Sequence, residues 1–331
     1  GYQSVTVPEN REKFVKAWGV KNLPDKPGLV IPAMMEGLLT KKIRALWVFG
    51  ENLANAEPNI AHAEKCLSSA EFLVVQDVFP NETTRFAHVI LPSASWCEDE
   101  GTFTSLERRV SMVRTIKSPP GIAKPNWWIF KETARKMGHD WASGSGREIC
   151  DNELAVLCPM FGGITFSRIE KDGLQWPCPN EDHPGTTIVH RDGQFTHGKG
   201  ILKGIEWTPP EEVPDRDYPF VLSTGRRLSQ YHTRTQTGRS GMDFIYSRET
   251  ADISIDDARE KGISDGDMVI VESRRGKVTV PARVTDMIPK GMVWMTFHYR
   301  DGNCNWLTSN AYDVVTKTPE YKACAVNVQK A

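Results

Sequence analysis

Residues 74–103 read "VVQDVFPNETTRFAHVILPSASWCEDEGTF". An apolar run stops at Gln76-Asp77, and a short polar stretch leads to a second apolar run. A loop crowded with Ser, Trp, Glu and Gly follows. Upstream, "IRALWVFG" (43–50) reads as a buried strand closed by Gly, "ENLANAEPN" as a polar loop, and "IAHAEKCLSSA" as a helix by the spacing of its apolar residues. "EFLVVQDVF" is then the next strand. "NETTRFA" is a short helix opening on an Asn cap with Glu soon after, and "HVILP" is a third strand closed by Pro. This alternation predicts a doubly wound, mainly parallel α/β sheet. Such sheets bind ligands at the carboxyl ends of their strands. Gly50, Glu51, Asn52, Gln76, Asp77 and the loop after Leu91 therefore fall on one rim.

A strand-end carboxylate such as Asp77 can accept two hydrogen bonds, from ribose hydroxyls or from the N1–H and N2–H of guanine. Gln76 can both donate and accept, and Gly50 allows close approach of backbone to a phosphate or base. The structural alternative is that Asp77 only caps the following helix and Gly50 only makes a turn. The G-x-G-x-x-G dinucleotide fingerprint is absent.

Further along, "NWWIFKETARKMG" predicts an amphipathic helix stopped by Gly138. Residues 142–215 are read as an irregular connection with short elements, ending near Asp215. From Tyr218 the chain turns β-rich, with "RRGK" as a hairpin turn and "SIDDAREKG" as a helix capped by Ser254 and ended by Gly262. A closed β-barrel with one or two short helices fits this segment. Its loop "STGRRLSQYHTRTQTGR" (223–239) gathers Gly, Thr, Arg, Gln and His directly after a buried strand. Backbone amides and Arg suit phosphate, and His or Thr can bond a heterocycle; a solvated basic loop is the plainer alternative. Asn305, Asn310, Tyr321 and Lys322 form a third, weaker set.

The 331 residues predict about two domains. Lys+Arg 41 against Asp+Glu 42 leaves a net charge of -1, which gives no field for nucleic acid or an anionic membrane. No apolar run approaches the ~20 residues of a membrane span. The seven scattered cysteines form no C-x-x-C, so a reducing compartment is expected, and no metal cluster held by this chain; the location is read as cytoplasmic, with export as the open alternative. A nucleophile elbow, a P-loop and H-E-x-x-H are also absent. Glu98, Asp99 and Glu100 are read as a solvated loop or an interdomain contact, and His88 as a satisfied core histidine. The opening "GYQSVTVPENREKF" lacks Met and begins in mid-pattern, so a segment or half of a split subunit is expected.

"VVQDVFPNETTRFAHVILPSASWCEDEGTFTSLERRV" resembles the signature region of the molybdopterin oxidoreductases. "STGRRLSQYHTRTQTGR" is similar to the start of their C-terminal dinucleotide-binding barrel. "ARVTDMIPKGMVWMTFHYRDGNCNWLTSNAYDVVTKTPEYKACAVNV" is similar to catalytic subunits of molybdenum- or tungsten-dependent formate dehydrogenases. The resemblance spans nearly the whole chain, most weakly over 142–215. It implies an α/β domain over 1–141, with residues 93–124 folding towards an N-terminal region outside this sequence, then the connection, then a double-psi β-barrel over 216–331.

It further implies two pyranopterin guanine dinucleotides chelating one Mo or W, and an iron–sulfur cluster on the N-terminal part. On this likeness Gly50, Glu51, Asn52, Gln76, Asp77 and Thr102 line one dinucleotide. Thr224, Gly225, Arg226, Gln230, His232 and Thr233 match the barrel's cofactor loop, and Asn305, Tyr321 and Lys322 match later contacts. Asn126 stands where the family usually has Asp, and an amide accepts only through its oxygen. The catalytic and metal-ligating residues of the family lie N-terminal to the matched region, so none is assigned here. The implied reaction is reversible oxidation of formate to CO2, with iron–sulfur electron-transfer subunits and the N-terminal part of the catalytic subunit as partners. Alternatives are another family member such as a nitrate reductase, a non-catalytic cofactor-carrying module, and, more distantly, a free-standing nucleotide-binding protein.

Overall fold

A computed structural model describes residues 2–195 and 198–331. Along the chain its elements are α1 (Pro8–Trp18), α2 (Ile31–Leu39), β1 (Ala45–Phe49), α3 (Leu53–Ala56), α4 (Ile60–Ser68), β2 (Phe72–Asp77) and β3 (Val89–Pro92). Then come β4 (Gly101–Thr104), β5 (Arg109–Val113), α5 (Asn126–Lys136), α6 (Gly146–Ile149), α7 (Ala155–Leu157) and β6 (Leu174–Gln175). The last part holds β7 (Phe220–Gly225), β8 (Ala251–Ser254), α8 (Ile255–Lys261), β9 (Met268–Glu272), β10 (Lys277–Thr285), β11 (Met292–Thr296) and β12 (Cys324–Lys330). Internal contacts divide the chain into two units, Gly1–Gly28 with Leu91–Ile205, and Leu29–Ile90 with Glu206–Ala331.

In the second unit, β1, β2 and β3 form a sheet in that order, and β1 runs parallel to β2 with Phe49 opposite Gln76. Val48, Leu73 and Val75 pack on Met35 and Leu38 of α2 and Ala63, Cys66 and Leu67 of α4. In α4 the buried residues Ile60, Ala63 and Leu67 recur at helical spacing, and the Asn59 side chain accepts from the His62 amide at 3.3 Å. The predicted helix at "NETTRFA" is a single 3-10 turn over Glu82–Phe86, and Asn81 accepts from the Thr83 and Thr84 amides. His88 accepts the Leu73 N–H at 3.0 Å, but it is exposed at the strand edge rather than in the core.

The same unit holds a closed barrel in the order β10-β8-β11-β7-β12-β9. Alternating apolar residues fill it: Leu222, Ile253, Val269, Val271, Val293, Met295, Val326 and Val328 are all nearly inaccessible. The hairpin at "RRGK" and the α8 caps form as the sequence predicts: Ser254 accepts the Asp257 amide, and Gly262 adopts φ 65°. The sequence reading missed β8, because its second residue, Asp252, is charged. In the structure that carboxylate is buried in ion pairs to Arg227 and Arg283. Helices α1 and α2 were also not anticipated.

In the first unit, β4, β5 and β6 form an antiparallel sheet. Residues 142–215, expected to be irregular, contribute α6, α7 and β6; Thr196 and His197 lie outside the described residues. Helix α5 ends as predicted, with Gly138 at φ 89°. Glu98 is buried rather than solvated: it accepts the Ser95 amide at 2.9 Å and pairs with Lys117 at 3.1 Å, which braces its own turn. All seven cysteines are free thiols, and among the described residues no helix is long and apolar enough to cross a membrane.

Candidate functional site

Strand directions decide what meets at the barrel mouth. Because β7 and β11 are parallel with Gly225 opposite Thr296, the loops that leave them emerge at one end. β12 runs antiparallel to β7 with Cys324 opposite Leu222, which brings Tyr321 and Lys322 to the same end. Thr224 Oγ1 donates to the Tyr321 carbonyl at 2.8 Å, and Lys322 Nζ donates to the Thr224 carbonyl at 2.5 Å. Gly225 is required at the turn out of β7, since a Cβ there would lie 2.3 Å from the Trp294 ring.

The loop beyond Gly225 is tightly braced. Arg227 donates to Asp252 at 2.6 Å and to Thr250 at 3.0 Å, and its guanidinium lies between the Tyr246 and Trp294 rings, 4.6 and 4.4 Å from their centroids. Gln230 is buried: Nε2 donates to Asp243 at 2.9 Å and meets the Tyr299 hydroxyl at 3.0 Å, and Oε1 accepts from Thr237 at 2.6 Å. Thr233 is buried and bonded to Thr235 at 3.1 Å. By contrast Arg226 and His232 are exposed, and His232 sits at φ 45°, a strained conformation for this residue. Burial lowers the His232 pKa, and the Arg226 charge adds to that shift.

The α/β rim reaches the same mouth. Gly50, at φ 62°, donates its N–H to the Gln76 carbonyl at 2.9 Å, and nothing lies within 4 Å of where its Cβ would be. Gln76 is fully buried. Asp77 accepts the Val78 amide at 2.6 Å and the Asn81 side chain at 2.8 Å, which braces the turn that follows. Burial raises the Asp77 pKa against those bonds, and Glu51 adds to the rise. Asn52 is turned inward: it donates to Glu82 at 2.6 Å and accepts from Thr83. Glu51 is exposed. Burial, with Glu51 adding, pushes the Glu57 carboxyl up to about 7.

Rim and barrel are joined chiefly through the end of α3. Asn305 Nδ2 donates to the Ala56 carbonyl at 3.0 Å, and Asn303 Nδ2 donates to the Asn55 carbonyl at 3.0 Å. Tyr321 donates to the Ala56 carbonyl at 3.2 Å and Arg300 to the Ala54 carbonyl at 2.6 Å. These bonds satisfy helix-end carbonyls that would otherwise be orphaned. Arg239 reaches the other strand end, with its guanidinium 4.7 Å from the Phe79 ring centroid and 3.2 Å from the Pro80 carbonyl.

The sequence-predicted residues of this unit thus separate into two groups. Asn52, Thr224, Gln230, Asn305, Tyr321 and Lys322 have polar atoms engaged with the protein itself. Gly50, Glu51, Arg226 and His232 face outward. Thr102, in β4 opposite Met112, and Asn126, the first residue of α5, belong to the other unit. Sequence reasoning missed Arg227, His298, Arg300 and Asn303, although a His directly after the apolar run "MVWMTF" was a usable signal. A cavity of about 350 Å³ lies between α2, α4 and residues 310–319. Glu57 lines it, and of the residues named from sequence Asn310 lines it as well. Among the described residues no cluster of His, Cys, Asp and Glu is arranged to hold a metal.

Comparison with known proteins agrees with this architecture. The Molybdopterin oxidoreductase family matches residues 4–136, and the Molydopterin dinucleotide binding domain matches residues 220–325. The F420-dependent formate dehydrogenase subunit alpha of Methanocaldococcus jannaschii is 41% identical over 100% of this chain and 49% of that protein. The assimilatory nitrate reductase catalytic subunit of Bacillus subtilis is 35% identical over 99% of this chain and 48% of its own length. The chain therefore spans about half the length of the curated relatives it matches. Among solved structures, acetylene hydratase from Pelobacter acetylenicus superposes with a TM-score of 0.71 over 99% of this chain and 50% of that one, at 15% identity, which shows a shared fold. A parallel α/β sheet, a closed six-stranded barrel and two matched domains make this chain a member of the molybdopterin oxidoreductase family.

Proposed function

We propose that the chain is the dinucleotide-binding C-terminal part of a formate dehydrogenase catalytic subunit. The observation that carries this reading is 41% identity along the whole chain to a formate dehydrogenase alpha subunit, so the likeness is not confined to one motif. The site chemistry suits a pyranopterin guanine dinucleotide. Arg226 offers an outward guanidinium for pyrophosphate, and Gly50 leaves open space where a side chain would stand. The Asp77 carboxylate can accept further bonds beyond those from Val78 and Asn81, and His232 is an outward ring whose pKa is lowered by partial burial and the Arg226 charge. Asn52, Gln230, Asn305, Tyr321 and Lys322 act one step back, fixing the backbone that carries those groups.

When bound, a Mo- or W-bis(pyranopterin guanine dinucleotide) supplies the redox couple for HCOO⁻ → CO2 + H⁺ + 2 e⁻. This chain's residues bind, orient and electrically tune that group. The active-site ligands, an iron–sulfur cluster and the contacts to electron-transfer subunits are assigned to the N-terminal part. The test is metal and pterin analysis of the full-length protein, together with formate-dependent dye reduction. About two guanine-type pterins per Mo or W with formate-dependent reduction supports the proposal. Pterin without such reduction supports a cofactor-carrying module instead, and absence of pterin overturns the reading. Nitrate reduction is the second reading, favoured by the 35% identity to a nitrate reductase, and nitrate-dependent dye oxidation without formate activity would select it.

A further inference from the structure

The outward residues Arg226 and His232 sit on a loop whose shape is fixed by a side chain some 70 positions away. His298 is 1% exposed at the end of β11. Its Nε2 accepts the backbone N–H of Arg227 at 2.8 Å, and its Nδ1 lies 2.5 Å from the backbone carbonyl of His232. A carbonyl can only accept and a backbone N–H can only donate. The ring is therefore neutral with its proton on Nδ1, the one form that satisfies both partners. One imidazole thus closes the loop from residue 227 to residue 232.

We propose that His298 is a positioning residue for dinucleotide binding, a bolt that holds the 226–232 loop in the conformation that presents Arg226 and His232. The proposal rests on the cofactor reading above. It also gives the loop a pH dependence. A proton added to Nε2 removes the acceptor and sets N–H against the Arg227 N–H, so the bolt opens as the ring charges. The charged groups around the ring oppose that proton: Arg226, Arg227 and His232 face it from the loop, and burial disfavours the cation. On the side of residue 249, Glu249 accepts the Tyr299 amide at 2.9 Å next along the chain and is itself pushed up to about 7 by burial. The pKa of His298 lies below its ordinary value, so the bolt stays closed at neutral pH and opens only on acidification below that value.

The test uses the full-length protein and reads backbone deuterium uptake of the 226–233 segment between pH 5 and 8, corrected for intrinsic exchange. Pterin content is measured on the same material. The wild type is expected to keep this segment protected through neutral pH, with any loss of protection confined to the acid side and β12 unchanged. His298→Ala should lose that protection at every pH and retain several-fold less pterin. His298→Gln, whose amide oxygen can stand near the Nε2 position, should recover protection near Arg227 and abolish the pH dependence. Equal protection in wild type and His298→Ala, with β12 intact in both, overturns the proposal. Full pterin retention on a deprotected loop overturns it as well. If His298→Ala does not fold, His298→Phe, which keeps a ring and loses both nitrogens, is read in its place, and wild-type protection of the segment in that variant still overturns the proposal. A pterin-free wild type sinks the cofactor reading and the positioning role with it, and the exchange profile then reports separately on whether the bolt exists.

Discussion

The α/β rim and the barrel loop bring opposite charge to one place by different means. The rim presents Glu51 and Asp77, carried just at or beyond strand ends, and Asp77 is braced within a few residues by Val78 and Asn81. The barrel loop presents Arg226 and His232 and is braced from far along the chain: Arg227 by Asp252, Gln230 by Tyr299, and the loop backbone by His298. A strand end emerging from a sheet has little conformational freedom left to remove. A loop running from residue 226 to residue 250 loses far more on ordering, so more contacts must hold it. The lesson is that the exposed residues of such a site depend on buried ones that a list of contacts to the ligand would omit.

Four substitutions test this contrast, in order of expected effect. Gly225→Val should be the most damaging, because its side chain must enter space held by Trp294; a loss of about 3 kcal/mol is expected from overpacking, read by denaturant unfolding of the full-length protein. An unchanged midpoint would show that the Trp294 ring yields and that the barrel exit is less confined than described. Asn305→Leu removes the donor that ties the barrel to the end of α3 and leaves the Ala56 carbonyl with Tyr321 alone. A cost of about 2 kcal/mol should appear with faster amide exchange in α3 and α4, whereas faster exchange confined to the barrel would break the claim that this contact joins the two regions.

Arg226→Ala touches only the outward group, so stability should hold while dinucleotide affinity falls about tenfold, or ~1.4 kcal/mol. Competition with a guanine dinucleotide reads this, and unaltered affinity would remove Arg226 from the site. The smallest effect concerns pH. Glu249 and Glu57 both titrate at about 7 in the folded chain, above the ordinary 4.5, mainly through burial. The folded state therefore binds more protons than the unfolded one between those values. This contribution to stability is present at low pH and is lost as pH rises from about 4.5 to about 7. Glu249→Gln should flatten the fall between pH 6 and 7 by about 1 kcal/mol; an unaltered slope in thermal unfolding would mean that Glu249 is ionised throughout.

Much of the framework was legible because local pattern and tertiary environment agree. The apolar runs at 45–49, 72–77 and 89–92 became strands, and the caps at Ser254, Gly262 and Gly138 ended helices where expected. What was misread involved charge whose partner is distant. Asp252 hid a fully buried strand because its partners Arg227 and Arg283 lie 25 and 31 residues away. Glu98 looked solvated because nothing nearby announces Lys117.

The site follows the same division. Sequence alone determined that polar groups gather after Phe49, Gln76 and Gly225, since an apolar run that must be buried has to end where the chain meets water, and that these ends carry Glu, Asp, Arg and His. Only the tertiary structure decided which of them face outward. Asn52, Gln230, Asn305, Tyr321 and Lys322 were spent on backbone and side-chain partners inside the fold, while Arg226 and His232 were left free of such bonds to their side chains, because the pairing of β7 with β11 and β12 put acceptors beside some of these residues and not others. Hydrogen-bond demand is a property of the residue and can be read from its letter; whether the demand is met within the chain depends on distances that only the folded backbone sets.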